Sequence, residues 1–410
     1  IRLTTGSTNF TISGNSLYQS SSRTYSHSTI QHYGIAVSNT SGGGFIISGN
    51  FIGGSAASAG GTPYWFSSGS SAAARFSAID ISANTSSPTS IQGNTIRNFV
   101  MTTAYNGSAF VFSGITAAAG AVNIGTETAN TIGSVTDTSI KITLASSSAG
   151  TPVFGIHTSG ASPVQIGNNT IAGIRVEANS ATAYGELYGI QLGTTGGIAT
   201  VSGVTIGASA APMQNNTGSG TLTSQYVTAG IRVTAGSSAS GITLSNNIVN
   251  YMNVRAGSGN TGAQLSGIHL SASVPYTVTG NTITNLTSGS FSTSNTIVGI
   301  MHLGTVSPTI ISGNVIHSLS ATSTSGAVAV VGMYCSGTTS GTFRIEKNNV
   351  HSLRLATTNA GATIDGIANV SGIYRIANNM IRLGVDKDSA SVSGNYVISG
   401  IKKLHSSAVT

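Results

Sequence analysis

The sequence predicts an all-β fold, a right-handed parallel β-helix (a solenoid) of about eleven coils, and three observations lead there. The first is composition. Charged residues are 6% of the 410, Gly supplies 54 and apolar residues 39%. Regularly recurring Ile and Val argue against a disordered chain, and no apolar run approaches the ~20 residues of a bilayer span. The second is a recurring Gly-Ile-x-apolar element: Gly34–Val37, Gly189–Leu192, Gly230–Val233, Gly267–Leu270. The third is an apolar-x-(Gly/Asn)-Asn-x-apolar element that follows each of these, as in Ile12–Leu17, Ile91–Ile96, Val278–Ile283, Ile311–Ile316, Ile345–Val350 and Ile376–Ile381.

The first element sets the repeat length, the sign of a stacked array. Its Ile-type marker falls at Ile1, Ile35, Ile79, Ile115, Ile156, Ile190, Ile231, Ile268, Ile300, Met333, Ile367 and Ile401. The spacings are 34, 44, 36, 41, 34, 41, 37, 32, 33, 34 and 34, so eleven intervals span 400 residues with a mean near 36. The second element follows at a nearly fixed gap: 11 residues from Ile1 to Ile12, 12 from Ile79 to Ile91, 10 from Ile268 to Val278. The return to the next coil varies more, from 22 (Val278 to Ile300) to 32 (Ile47 to Ile79), which separates rigid scaffold from variable loop.

Both elements alternate apolar and polar residues at period two, the pattern of a strand. A third alternating stretch precedes Gly-Ile, as in Thr29–Tyr33 and Thr151–Phe154, giving three short strands per coil and no substantial helix. Ile35, Ile190, Ile231, Ile268, Ile283 and Ile316 are expected to face inward in one continuous core. Coils stacked ~4.8 Å apart would form a rod roughly 50 Å long.

The Asn of the second element is expected at a tight bend, where Asn tolerates the left-handed conformation. Equivalent Asn side chains would hydrogen-bond from coil to coil. The predicted ladder is Asn15, Asn50, Asn94, Asn169, Asn247, Asn281, Asn314, Asn348 and Asn379. It is poorly written near Asn130 and Asn216, and the extra copy at Val392–Asn395 leaves the turn around Val385–Asn395 unassigned.

These copies of Ile-Ser-Gly-Asn-x-Ile and Gly-Ile-x-Leu cover the whole chain. They resemble the parallel β-helix repeats of large secreted or cell-surface proteins of Bacteroidota, adhesin-like and often carrying a C-terminal sorting domain. The resemblance implies an extracellular or cell-surface bacterial location. The architecture is also that of pectate lyases, polygalacturonases and tailspikes, so the repeat specifies fold strongly and function weakly.

Enzymes of this architecture need convergent acids, two carboxylates about 5 to 9.5 Å apart for glycoside hydrolysis. The nine acids are Asp80, Glu127, Asp137, Glu177, Glu186, Glu346, Asp365, Asp386 and Asp388, and their spacing predicts no converging pair. No catalytic residue, cofactor or metal site is therefore expected. His157 and His269 follow Gly-Ile in separate coils and read as solvent-facing. The outward column that contains them, from Ala36 and Asp80 to Tyr334 and Ala368, shows no regular Thr array of the kind that binds ice. A single cysteine, Cys335, excludes an internal disulfide. The formal charge of +7 is spread too thinly for a nucleic-acid surface.

Two groups remain as candidate contacts. Tyr64, Trp65 and Phe66 form the one dense aromatic cluster, read as part of an insertion over about residues 53 to 75; aromatic rings there suit sugar faces or cover the core edge. His317, His351 and Arg382 share one column, and Arg344 and Arg375 another, a candidate anion contact. The expected function is a structural or adhesive stalk or spacer with glycan or subunit contacts through side loops. The alternative is a carbohydrate-active or carbohydrate-binding β-helix. Ile1-Arg2-Leu3 and Gly400-Ile401 both match the first strand of a coil. The chain therefore reads as one solenoid over residues 1–410, internal to a longer polypeptide whose flanking coils or domains are its partners.

Overall fold

The computed structural model describes the chain apart from residues 26–29, 69–72, 146–148, 182, 194–196, 218–225, 235–238, 256–260, 291–295, 325, 338–342, 389, 393 and 405–410. The described residues form a right-handed parallel β-helix with three long sheets and no helix. The first sheet has twelve strands, among them Ile30–Ser38, Ala149–Thr158, Ala263–Leu270 and Thr363–Ser371. The second has eleven, such as Ile46–Ser48 and Tyr276–Thr279, and the third has seventeen, such as Thr282–Ser288 and Val315–Ala321.

The sheets do not divide the coil quite as the alternating pattern suggests. The stretch before Gly-Ile is not a separate strand; Ile30–Ser38 and Ala149–Thr158 each run through it without interruption. The third sheet lies instead after the Asn corner. The Gly of Gly-Ile allows this long strand to pass close to that sheet. A Cβ on Gly267 would lie 2.4 Å from Ile283 Cγ2, inside any real contact, so the third-sheet Ile occupies the space a side chain would need. The two sequence elements are thus halves of one packing unit.

Stacking these units buries one continuous core from Ile12 to Ile367 and beyond. Ile35, Ile190, Ile231, Ile268, Ile283 and Ile316 are all fully buried, as their period-two placement requires. Strand pairing is in register: Ile190 lies beside Ile231, Ile231 beside Ile268 and Ile268 beside Ile300. Burial of this kind contributes roughly 25 cal/mol per Å² of apolar surface removed from water.

The Asn corner is built from two residues with separate tasks. The left-handed residue is the one before the ladder Asn, with φ from 55° at Asn246 to 67° at Gly14, and none of the predicted ladder Asn residues has positive φ. That corrects the expectation that the ladder Asn itself bends the chain. The ladder Asn instead closes polar groups along the stack. Asn281 Nδ2 donates to Asn314 Oδ1 at 2.9 Å and Asn314 Nδ2 to Asn348 Oδ1 at 2.9 Å. Each Oδ1 also accepts the backbone N–H of the preceding Asn at 3.0 Å, and Asn314 Nδ2 reaches Val278 O at 2.9 Å. Every donor and acceptor of the buried amide is thereby satisfied.

Asn130 is a full member of the ladder, bonded to Asn94 and Asn169 at 2.9 Å, despite the irregular sequence around it. Asn216 is not; it ends the third-sheet strand Met213–Asn216. At that coil the ladder position holds Val204, whose N–H donates to Asn247 Oδ1 at 3.1 Å. Two ladders result: Asn15 to Asn169, and Asn247 to Asn379. The unassigned turn after Arg382 is an excursion closed by an antiparallel bridge between Val385 and Ser391, with residue 393 outside the described set.

Candidate functional site

The third sheet changes character along the rod, and in the C-terminal coils its outer face carries a groove. In the C-terminal coils each third-sheet strand bends at a residue with positive φ: Tyr251 (45°), Asn285 (53°), Ser318 (57°) and Ser352 (56°). Inward residues flank the bend, as Ile283 and Leu286 do around Asn285, so both limbs hold the core while the outer face folds into a trough. One outer limb stacks Asn253, Thr287, Ser320 and Arg354 in register. The other stacks Thr284, His317, His351 and Arg382. The loop bearing Asp386, Lys387 and Asp388 closes one end of a groove of about 300 Å³ along the first limb.

The predicted column of His317, His351 and Arg382 is present in adjacent coils. The two imidazoles stack at 4.8 Å with 5° between planes. His317 Nδ1 lies 3.1 Å from Thr284 Oγ1, and His351 Nδ1 lies 2.9 Å from Ser352 Oγ. Burial, then the neighbouring His351, holds His317 below its ordinary value; burial, then Arg382, does the same for His351. Both rings are therefore neutral at neutral pH, and Arg382 is the fixed charge of the column.

Arg344 and Arg375 pair in register, but on the second sheet. They are held by one carboxylate: Arg344 donates to Glu346 at 3.0 and 2.7 Å, and Arg375 Nε lies 3.5 Å from the same group. The five residues grouped as an anion contact thus occupy two sheets, and the second-sheet pair already has its anion. Residues 64–66 lie in a regular third-sheet strand, Tyr64–Ser68, paired with Phe99–Thr103, rather than in a loop; their side chains lie outside the described residues.

The outer face of the first sheet corrects another expectation. His157 and His269 are not solvent-facing. His157 stacks on Phe154 at 4.3 Å, and His269 is buried. Desolvation lowers both to about 4. Between them sits a group the sequence spacing did not reveal, because its members belong to three residue columns and two coils. Arg232 lies 4.9 Å over the Tyr188 ring, hydrogen-bonds its hydroxyl, and is 3.5 Å from Glu186 Oε2. Burial holds Tyr188 well above its ordinary value, so it is a neutral donor and acceptor rather than a base. Phe110, Phe154 and Ala229 pack around it in a small apolar cluster. This closed arrangement braces the sheet. Asp80, in the same column, is pushed up to about 6 by burial.

A buried histidine was also missed. His302 takes the inward column between Leu270 and Cys335, with Nδ1 2.8 Å from the Tyr374 hydroxyl and the Tyr276 and Phe343 rings within 5.7 Å. Desolvation lowers it to about 4. Cys335 beside it is fully buried, which raises its thiol far above the ordinary value.

The acids do not gather. Glu177 is tied to Lys141 at 2.7 Å and to Arg175, Asp365 to Lys402 at 3.3 Å, and Lys387 to Asp388 at 2.6 Å. Among the described residues no group of three or more His, Cys, Asp or Glu is placed to hold a metal ion, and no helix is long and apolar enough to cross a membrane. The chain matches no family model, no curated protein and no solved structure.

Proposed function

We propose that this chain is a rigid structural or adhesive stalk of a secreted or cell-surface bacterial protein, of the adhesin-like kind its repeats resemble, with glycan contacts on its outer faces. The observation that carries the reading is the unbroken stack: one core cluster and two Asn ladders link the coils from end to end. Each coil adds parallel hydrogen bonds and buried aliphatic contact to its neighbours. A chain built this way transmits load along its axis. Charged residues are only 6% of the chain, so its outer polar residues are mostly hydroxyls and amides, which suit weak, repeated contact with sugars.

Mechanical and chemical measurements test this together. Held between tethers at its two ends, the chain should resist extension at forces that open an ordinary helical bundle. Incubated with plant and bacterial polysaccharides, it should release no new reducing ends. Extension at low force, or turnover of a polysaccharide, would overturn the proposal.

A further inference from the structure

The groove on the third sheet has three features that a plain structural bend does not need. The first concerns Tyr251. Its neighbours at the bend, Asn285, Ser318 and Ser352, are small polar residues, and Asn in particular suits the left-handed region. An aromatic residue there is a backbone outlier, and such strain concentrates at binding sites. Tyr251 is also 36% exposed and lies at the groove, so its ring is not held there by core packing. The second concerns Arg354. It is exposed on the groove wall and forms no ion pair among the described residues, whereas nearby Lys387 is held by Asp388 and Asp386 Oδ1 accepts the N–H groups of Asp388 and Ala390. The third is the wall itself, where Asn253, Thr287 and Ser320 repeat at the coil rise of ~4.8 Å.

We propose that this groove binds a linear oligouronate, laid along the solenoid axis. Its sugar rings repeat on nearly the same length as the coils, so successive hydroxyls meet successive Asn, Thr and Ser side chains. One ring stacks on Tyr251, and a carboxylate is held by Arg354, whose planar fork suits bidentate contact. This site rests on the glycan-contact half of the proposed function and gives it an address and a ligand class.

The test uses tetragalacturonate as the probe and neutral cellotetraose as the comparison, titrated calorimetrically into the whole chain at physiological salt. Tyr251→Asn copies the residue one coil on. It should weaken tetragalacturonate binding about tenfold, the effect of ~1.4 kcal/mol, while leaving the melting temperature unchanged or raised. Arg354→Gln should weaken it by a similar factor without altering stability, and cellotetraose should bind the wild type less tightly. If tetragalacturonate binds the wild type and both variants equally, the groove is not its site, although the glycan reading survives. Equal binding of cellotetraose would overturn the acidic ligand class. Silence of the wild type towards tetragalacturonate overturns the groove proposal, and silence towards a glycan array as well overturns the glycan reading with it.

Discussion

The solenoid has two regions that share a scaffold and differ in how they use it. Up to the coil of Val204, the third sheet is made of paired short strands, such as Thr131–Gly133 with Ile140–Leu144 and Thr170–Ala172 with Ile174–Ala178. From Asn247 onward each coil has one continuous strand, such as Ile248–Val254, Thr282–Ser288, Val315–Ala321 and Asn349–Leu355. Coil spacing falls from as much as 44 residues (Ile35 to Ile79) to between 32 and 34 after Ile268. Yet the first sheet keeps its marker column, Ile35 to Ile401, aligned from coil to coil, and Asn130 keeps its rung beside an inserted stretch. What breaks the ladder is one apolar residue, Val204. Insertions on the surface cost little because loop-closure entropy grows slowly with length, whereas a stacked position is read by two neighbours at once.

Acid should expose the difference most strongly. His157, His269 and His302 are lowered to about 4 from an ordinary 6.5. Between those values the unfolded chain binds more protons, so their contribution is complete above about pH 6.5 and is lost as pH falls towards 4. Each is worth up to ~3 kcal/mol, at about 1.4 kcal/mol per pKa unit. Asp80, pushed up to about 6, acts in the opposite sense and gains stability as pH falls through about 6 towards its ordinary 3.8. It lies in the N-terminal region with His157, while His269 and His302 are both C-terminal. Amide protection factors at pH 4.5 should therefore fall first in the C-terminal coils; an N-terminal loss first would show that burial of these rings does not govern acid stability.

Within the C-terminal region, Ile283→Asn places a polar group in the core against Gly267, at an expected cost of roughly 2 to 5 kcal/mol. Urea unfolding measures it, and a variant as stable as the wild type would contradict the packing described. Asn314→Ala strands the amide groups of Asn281 and Asn348, and about 1–3 kcal/mol should be lost. Val315→Thr, on the adjoining half-buried outer position, should stay within about 0.5 kcal/mol. Similar melting temperatures for the two would remove the ladder from the list of stabilising features.

The smallest effect should come from joining the two ladders. Val204→Asn loses aliphatic packing but gives Asn169 an acceptor and Asn247 a donor, so the net change should stay within ~1 kcal/mol. A loss as large as that of Ile283→Asn would mean that the corner at Val204 cannot hold an amide, and that the two regions are separated by shape rather than by one residue.

Much of this was written in the chain. Period-two alternation and the spacing of Gly-Ile from Asn determine the strands, the inward Ile columns and nine ladder positions, because each of these depends on residues close in sequence or one repeat apart. Where the copy was degraded, as at Asn130, the sequence was silent although the rung is present; neighbouring coils impose the geometry. Only the tertiary structure decided which way the polar residues face and whom they meet. It placed the left-handed residue before the ladder Asn and joined the supposed extra strand to the first sheet. It enclosed His157 and His269, gave Arg344 and Arg375 a shared carboxylate, and gathered Tyr251, Arg354 and the Asp386 loop from several coils into one groove. Those outcomes depend on how loops of unequal length lie across neighbouring coils, and a repeat pattern carries no information about that.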